Sequence, residues 1–569
     1  MLKFISPSRG READHVANAE AVEAFWRSLP SDDPIASQRA ICDALAQIDG
    51  RRGPEINRLR ALFALDRRSQ RMLEGLLSDY VTSGSLSPAR ERELRHAVFE
   101  LSRSFAHGYE FFLRYVREKN PGSAWLQHTP AILVQLFKHR EVELLLALYR
   151  YESWPRGRWK ELHTAYEFAL SKNLARLPVA IDRREGKTVR TITPEQAFIR
   201  VLLLQLMDSG QFVPAEVAVA RQWIARWSEL PALAPVDTGG SAPMSPDGFV
   251  VDLSGSEGMK RPRSISAIAG RYFRLDTTPI TASIERELAV VRRAASEGGS
   301  AAIVRTRRLQ LLSKLNITFA AKHELIKRRG ERTEVALMSV QTMVGGLPSI
   351  FRMLRDESRR LAALSNSPLP YVDEITITDF RGHVGVRKAT VAAASQDSLS
   401  AFPATATFGV PQPAWQVRDR SESGCRLRGR VSNPRRLVPG SLMAFREDEN
   451  APWTLAVVRR LKKMVGDNIE LGVEHIGRNP QRVLMVVPRA GDGAEAKTDQ
   501  CVALYLPESD AYPRIPIKTL VLPASEYSPG RVFTMLSTMN EAAIRLKEPI
   551  ENQREFVWTS FDSVEPGRR

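Results

Sequence analysis

The sequence predicts a multidomain α+β protein, with an irregular α-helical bundle at the N-terminus and a β-rich C-terminal part. Three observations lead there. Apolar residues recur at helical spacing through residues 10–230. From about residue 414 to 478 they alternate in short runs bounded by turn residues, the period of strands. At 569 residues the chain exceeds what one hydrophobic core serves, so several domains are expected.

Within the helical part, Ile132, Leu133, Leu136, Phe137, Leu144, Leu145 and Leu148 mark a buried helix. Thr193-Pro194-Glu195-Gln196 is a helix start: the threonine caps, proline suits the first turn, and Gln196 reaches back. Ser87-Pro88 and residues 50–54 break helices. No fixed-period repeat is present. The Pro, Gly, Ala and Ser content of 231–248 reads as a linker. Residues 249–253 follow as a short strand and 280–327 as helix, so 249–327 forms a mainly helical connecting region. Residues 333–341 look extended, 347–363 helical and 389–413 like a loop. Beyond 480, residues 483–487, 502–506 and 517–522 read as strands, 491–498 as a polar loop, and 534–545 as helix or strand.

The chain carries 82 Lys and Arg against 65 Asp and Glu, a net charge of +17. That balance suits anionic partners or a solvated arginine-rich surface. Cys42, Cys425 and Cys501 are scattered, which excludes a disulfide framework and a four-cysteine zinc site. The N-terminus lacks the apolar core of a signal peptide, and no apolar run reaches the ~20 residues of a membrane span. A reducing, cytoplasmic setting is expected. His323-Glu324 lacks the second histidine of a zinc-protease helix, and Gly345-Gly346 lacks the Gly-Lys-Ser/Thr ending of a phosphate loop. There is no Gly-x-Ser-x-Gly elbow. A catalytic or metal site is not expected, and the chain reads as a non-enzyme.

The residues with the clearest chemistry are Asp419-x-Ser421-x-x-Gly424. A carboxylate accepts two N–H bonds at once, which suits the amino and imino groups of a purine edge. Ser421 adds a small donor and acceptor, and Gly424 permits a turn and close approach. Turn chemistry alone also favours these residue types. After the motif come Gly440-Ser441-Leu442-Met443-Ala444-Phe445, then Leu455-Ala456-Val457-Val458-Arg459-Arg460, then Leu471-Gly472-Val473-Glu474.

In order and spacing, over about 65 residues, this succession resembles the PilZ domain, a small β-barrel that receives cyclic di-GMP. The resemblance implies a PilZ-like β-barrel over 328–480, with an insertion at about 345–412, followed by a further β-containing tail over 481–569. Members that bind cyclic di-GMP carry Arg-x-x-x-Arg just before the first barrel strand. Arg328 and Arg332 supply that spacing and lead into residues 333–340. The same spacing recurs at Arg67/Arg71, Arg355/Arg359 and Arg426/Arg430; Arg328/Arg332 is preferred because a strand candidate follows it, whereas Arg355/Arg359 lie inside an apparent helix. By resemblance, Arg328 and Arg332 hold phosphates and guanine bases, while Asp419, Ser421 and Gly424 hold a guanine edge. No further cofactor is implied. The helical part, residues 1–230, is the expected output surface toward an unknown protein partner. Two rivals remain. One is a structural adaptor with a degenerate, non-binding barrel. The other is a nucleic-acid-binding protein, for which Trp154, Trp159, Trp223 and Trp227 among arginines would be the stacking groups.

Overall fold

A computed structural model describes residues 14–48, 54–82, 87–182, 190–236, 248–262, 270–295, 302–321, 333–365, 412–430, 437–448, 450–464, 466, 468–487, 500–507, 517–536 and 541–564. The chain divides into two compact units, Met1–Arg328 and Arg329–Arg569.

The first unit holds the helices α1 (Ala19–Ser28), α2 (Pro34–Leu45), α3 (Ile56–Thr82), α4 (Pro88–Lys119), α5 (Ser123–Tyr149), α6 (Arg156–Ser171), α7 (Pro194–Gln205), α8 (Pro214–Trp227), α9 (Thr278–Ala295) and α10 (Ala302–Phe319). Two short sheets interrupt them. One pairs β1 (Val179–Asp182) with β2 (Arg190–Ile192). The other joins β3 (Leu233–Pro235), β4 (Phe249–Asp252) and β5 (Tyr272–Leu275), with β5 central. Local chemistry sets the helix ends. Asp33 caps α2 and Ser87 caps α4, each just before a proline at the first position. Thr193 and Gln196 form the expected capping box on α7. Helix α5 is buried on most of its surface and packs against α4, α6, α7 and α8. Its Arg140 is buried and stays charged through Glu143 at 2.6 Å and Glu161 at 3.0 Å.

Two stretches differ from their reading in the sequence. Leu233–Pro235 lies inside the stretch read as a linker, yet it pairs with β5, because Leu233 buries its side chain in the helical core. Residues of 249–319 share one core with the preceding helices rather than forming a separate connector: Val251, Leu275, Ile280, Ile284, Leu312, Leu315 and Phe319 all belong to it. Trp154, Trp159, Trp223 and Trp227 are buried too, so they are core residues and offer no exposed ring faces for bases.

Among the described residues, the second unit contains two closed barrels and one α-helix. The first barrel has the order β10-β11-β8-β7-β6-β9, with every pairing antiparallel. Its strands are β6 (Thr333–Val344), β7 (Gln412–Ser421), β8 (Gly424–Arg430), β9 (Leu442–Arg446), β10 (Thr454–Lys463) and β11 (Asn468–Arg478). The strand expected at 333–340 is therefore part of the same barrel as the motif strand: Glu334 pairs with Asp419 and Val340 with Trp415. Closure leaves no open edge. Trp415, Val417, Cys425, Leu427, Leu471 and Val473 alternate into its buried side.

The tail forms a barrel of its own, in the order β12-β13-β14-β17-β16-β15. These strands are β12 (Gln481–Val486), β13 (Gln500–Leu506), β14 (Thr519–Pro523), β15 (Val532–Leu536), β16 (Glu541–Asn552) and β17 (Phe556–Ser563). The ambiguous run at 534–545 resolves as the β15–β16 hairpin, because Phe533 and Ile544 pair across it and are both buried. Helix α11 (Gly346–Ser365) follows β6. Its Leu347, Ile350 and Met353 join Leu442, Ala444, Leu455 and Val457 of the first barrel and Leu504, Leu506, Val521, Phe556 and Trp558 of the second in one apolar seam.

Candidate functional site

Asp419 sits near the end of β7, and a bulge decides which way it points. Val417 pairs with Leu427, but Asp419 pairs with Arg426, so Arg418 is the extra residue on β7. One inserted residue exchanges the faces of a strand. Asp419 therefore shares the outer face with Arg426, which alternates with the buried Cys425 and Leu427 on β8.

Cross-strand register extends this into a row across five strands. Arg460 pairs with Gly472, Gly472 with Arg426, Arg426 with Asp419, and Asp419 with Glu334. A second row beneath it runs Lys462, Glu470, Arg428, Gln416 and Ser339. Gly472 puts no side chain between Arg426 and Arg460, and the aliphatic stem of Arg460 lies against it. The Asp419 carboxylate accepts from Arg426 Nε at 2.9 Å, and the same guanidinium lies 3.6 Å from Glu470. Asp419 is largely buried, whereas the Arg426 side chain is 42% exposed.

Ser421 and Gly424 close the β7–β8 hairpin around Glu422-Ser423. They pair with each other, and Ser421 Oγ donates to the Gly424 carbonyl at 3.1 Å. Gly424 also pairs with Glu474 on β11, and a Cβ there would collide with the Val473 carbonyl oxygen. Its glycine is thus required by close strand approach. His475 N donates to the Ser423 carbonyl at 2.9 Å, fixing the hairpin against β11. Burial, then the Arg420 charge, push the His475 imidazole down to about 4 and keep the ring neutral. Arg420 itself pairs with Glu447 at 2.7 Å.

On the far side of this hairpin, Glu474 accepts from Arg459 Nε at 2.7 Å. Arg459 also forks onto Glu551 of the second barrel, at 2.6 and 2.5 Å. Burial opposes the Arg459 charge, but Glu551 and Glu474 outweigh it and raise its pKa.

Of the residues singled out in the sequence, the barrel brings Asp419, Ser421 and Gly424 onto one face, in the β7–β8 hairpin and the strand end leading into it. Arg328 and Arg332 lie outside the described residues, and Thr333, the next residue, pairs with Arg420. The sequence did not single out Arg426, Arg460 or Gly472 as neighbours of Asp419. They lie on three different strands, and the bulges at Arg418 and between Val458 and Arg460 help align them.

Comparison with known proteins matches residues 383–481 to the middle PilZ domain of the cyclic-di-GMP receptor FimW, and residues 20–236 to the N-terminal domain of that receptor. The chain therefore carries a PilZ domain, and the match begins after the strand Thr333–Val344 that closes its barrel. The chain is similar to the cyclic-di-GMP receptor FimW of Pseudomonas aeruginosa, with 22% identity over 356 residues. That alignment spans 58% of this chain and 56% of the relative, so the chain matches little more than half the relative's length. No solved structure matches. Among the described residues, no helix is long and apolar enough to cross a membrane.

Proposed function

We propose that this PilZ-domain protein is a receptor for cyclic di-GMP that passes ligand binding on to a protein partner, and that it acts in the cytoplasm without catalysis of its own. The observation that carries this reading is the position of Asp419. In a barrel whose sequence matches the PilZ domain of a cyclic-di-GMP receptor, the motif carboxylate lies on the outer face beside the Arg426 guanidinium. Asp419 accepts from the guanine imino and amino groups, and Ser421 adds a hydroxyl beside it. Gly424 lets the hairpin approach β11. Arg328 and Arg332 hold the phosphates and stack on or fork onto the bases. The register supports their inclusion, because Arg332 is one peptide bond from Thr333, the partner of Arg420. These arginines also fall in the stretch of sequence that leads from the helical unit into the barrel unit, so a ligand held there is a means of output.

Isothermal titration of the full chain with cyclic di-GMP tests the reading. Micromolar or tighter binding is expected, with at least a tenfold loss in Arg328→Ala, Arg332→Ala and Asp419→Ala. Absence of heat in the unaltered protein overturns it. One observation favours a second reading, an adaptor whose barrel binds no nucleotide: Asp419 already has Arg426 as an ionic partner. The same titration decides between them.

A further inference from the structure

We infer that Arg426 is a specificity-determining residue of the nucleotide site, donating to the 6-oxo group of guanine while Asp419 accepts from the adjacent imino and amino groups. The inference rests on the receptor reading above and deepens it.

Three features converge on Arg426. It stands directly opposite Asp419 across β7 and β8, because of the bulge at Arg418. Its Nε donates to Asp419 Oδ2 at 2.9 Å, which sets the plane of the guanidinium beside the carboxylate and directs the fork away from it. Its other strand neighbour is Gly472, which carries no side chain, and the Glu470 carboxylate farther along β11 lies 3.6 Å from the same guanidinium and helps hold its charge in place. The result is an acceptor and a donor side by side, with the acceptor largely buried and the donor 42% exposed.

Guanine offers the complement of that arrangement. Its N1–H and N2–H₂ are donors and its O6 is the acceptor next to them. Adenine offers an acceptor at N1 and a donor at N6, so the same pair meets it with two mismatches: carboxylate against lone pair, and guanidinium against amino group. A carboxylate alone penalises adenine once, and the pair penalises it twice. Hypoxanthine separates the two contributions, because it keeps O6 and N1–H but lacks the 2-amino group.

The test is titration of the full-length protein, unaltered and as Arg426→Ala, Arg426→Gln and Asp419→Ala, with cyclic di-GMP, cyclic di-IMP and cyclic di-AMP. Thermal melting of each variant accompanies it. Arg426→Ala is expected to weaken cyclic di-GMP and cyclic di-IMP by the same factor, roughly tenfold or more. It should leave the ratio between those two unchanged and narrow the margin over cyclic di-AMP. Arg426→Gln keeps an N–H₂ donor and should lose less. Asp419→Ala is expected to remove the difference between cyclic di-GMP and cyclic di-IMP instead. If Arg426→Ala weakens all three nucleotides equally, or none, Arg426 only holds Asp419 and the inference is overturned. If Arg426→Ala does not fold, Arg426→Gln carries the same comparison, and an unchanged selectivity there overturns it equally. Absence of binding by the unaltered protein overturns the receptor reading itself, a different result from unchanged selectivity in a protein that binds.

Discussion

Single residues in the motif divide between chemistry and construction. Asp419 was singled out in the sequence for its carboxylate, but its ionic partner Arg426 was visible there only as one of several arginines four apart. A bulge is invisible in a pattern of residue types, and a bulge puts the two together. Gly424 was read as room for a ligand, and the barrel gives it a second reason, the carbonyl of Val473. His475, next to Glu474 of the closing strand, carried no signal at all, although its backbone N–H bonds the hairpin. Its ring is buried and neutral, with a pKa near 4 against an ordinary 6.5. The folded barrel thus disfavours a proton that the unfolded chain accepts. Stability should fall as pH drops through 6.5 and go on falling to about 4, by a total of roughly 3 kcal/mol. Thermal denaturation at fixed pH steps should show that loss in the unaltered protein and a flatter profile between pH 6.5 and 4.5 in His475→Asn. Parallel profiles would mean that the ring is not the titrating group.

At the scale of elements, alternation in the sequence marked most strands of the first barrel, and the helix at 347–363 was legible from its apolar spacing. The reason for the helix was not. Helix α11 lines the apolar seam with one face, and its Glu357 latches it to the first barrel. That carboxylate accepts from Arg446 at 2.5 Å and from the Trp453 indole at 2.8 Å. The Arg446 guanidinium also lies 4.5 Å from the centre of the Trp453 ring. A latch between residues nearly a hundred positions apart leaves no periodic trace. Glu357→Ala strips Arg446, whose side chain is 11% exposed, of its carboxylate. A cost of about 1–3 kcal/mol is expected, from the partners left unsatisfied. Chemical denaturation followed by tryptophan fluorescence measures it. Glu357→Gln should recover part, because its amide oxygen still accepts one of the two bonds. Equal midpoints for Glu357→Ala and the unaltered chain would show that the latch contributes nothing.

On the scale of the molecule, the tail was the least legible part. It reads as strands, but nothing local says that six of them close on themselves or that the closed barrel is bonded to its neighbour. The physical reason is that barrel closure and seam packing are long-range. Leu504, Leu506, Val521, Phe556 and Trp558 look like ordinary strand residues, yet they face the first barrel and α11 across a shared apolar seam. At its margin Arg459 joins Glu474 of β11 to Glu551 of β16. Two barrels joined by an apolar seam and a forked ion pair should unfold as one. Residues 329–569, produced alone, are therefore expected to melt in a single transition with equal calorimetric and van't Hoff enthalpies. Residues 481–569 alone would expose the seam and should aggregate or remain unfolded. Arg459→Ala should lower the single transition without splitting it, because the apolar contacts remain. Two resolved transitions in the unaltered fragment would show that the barrels are independent. In that case the Glu474–Arg459–Glu551 chain could not carry the state of the motif hairpin into the second barrel. A single transition that responds to Arg459→Ala would mean that the hairpin bearing Asp419 and the barrel bearing Glu551 share one folding equilibrium, so that a ligand stabilising the first also stabilises the second.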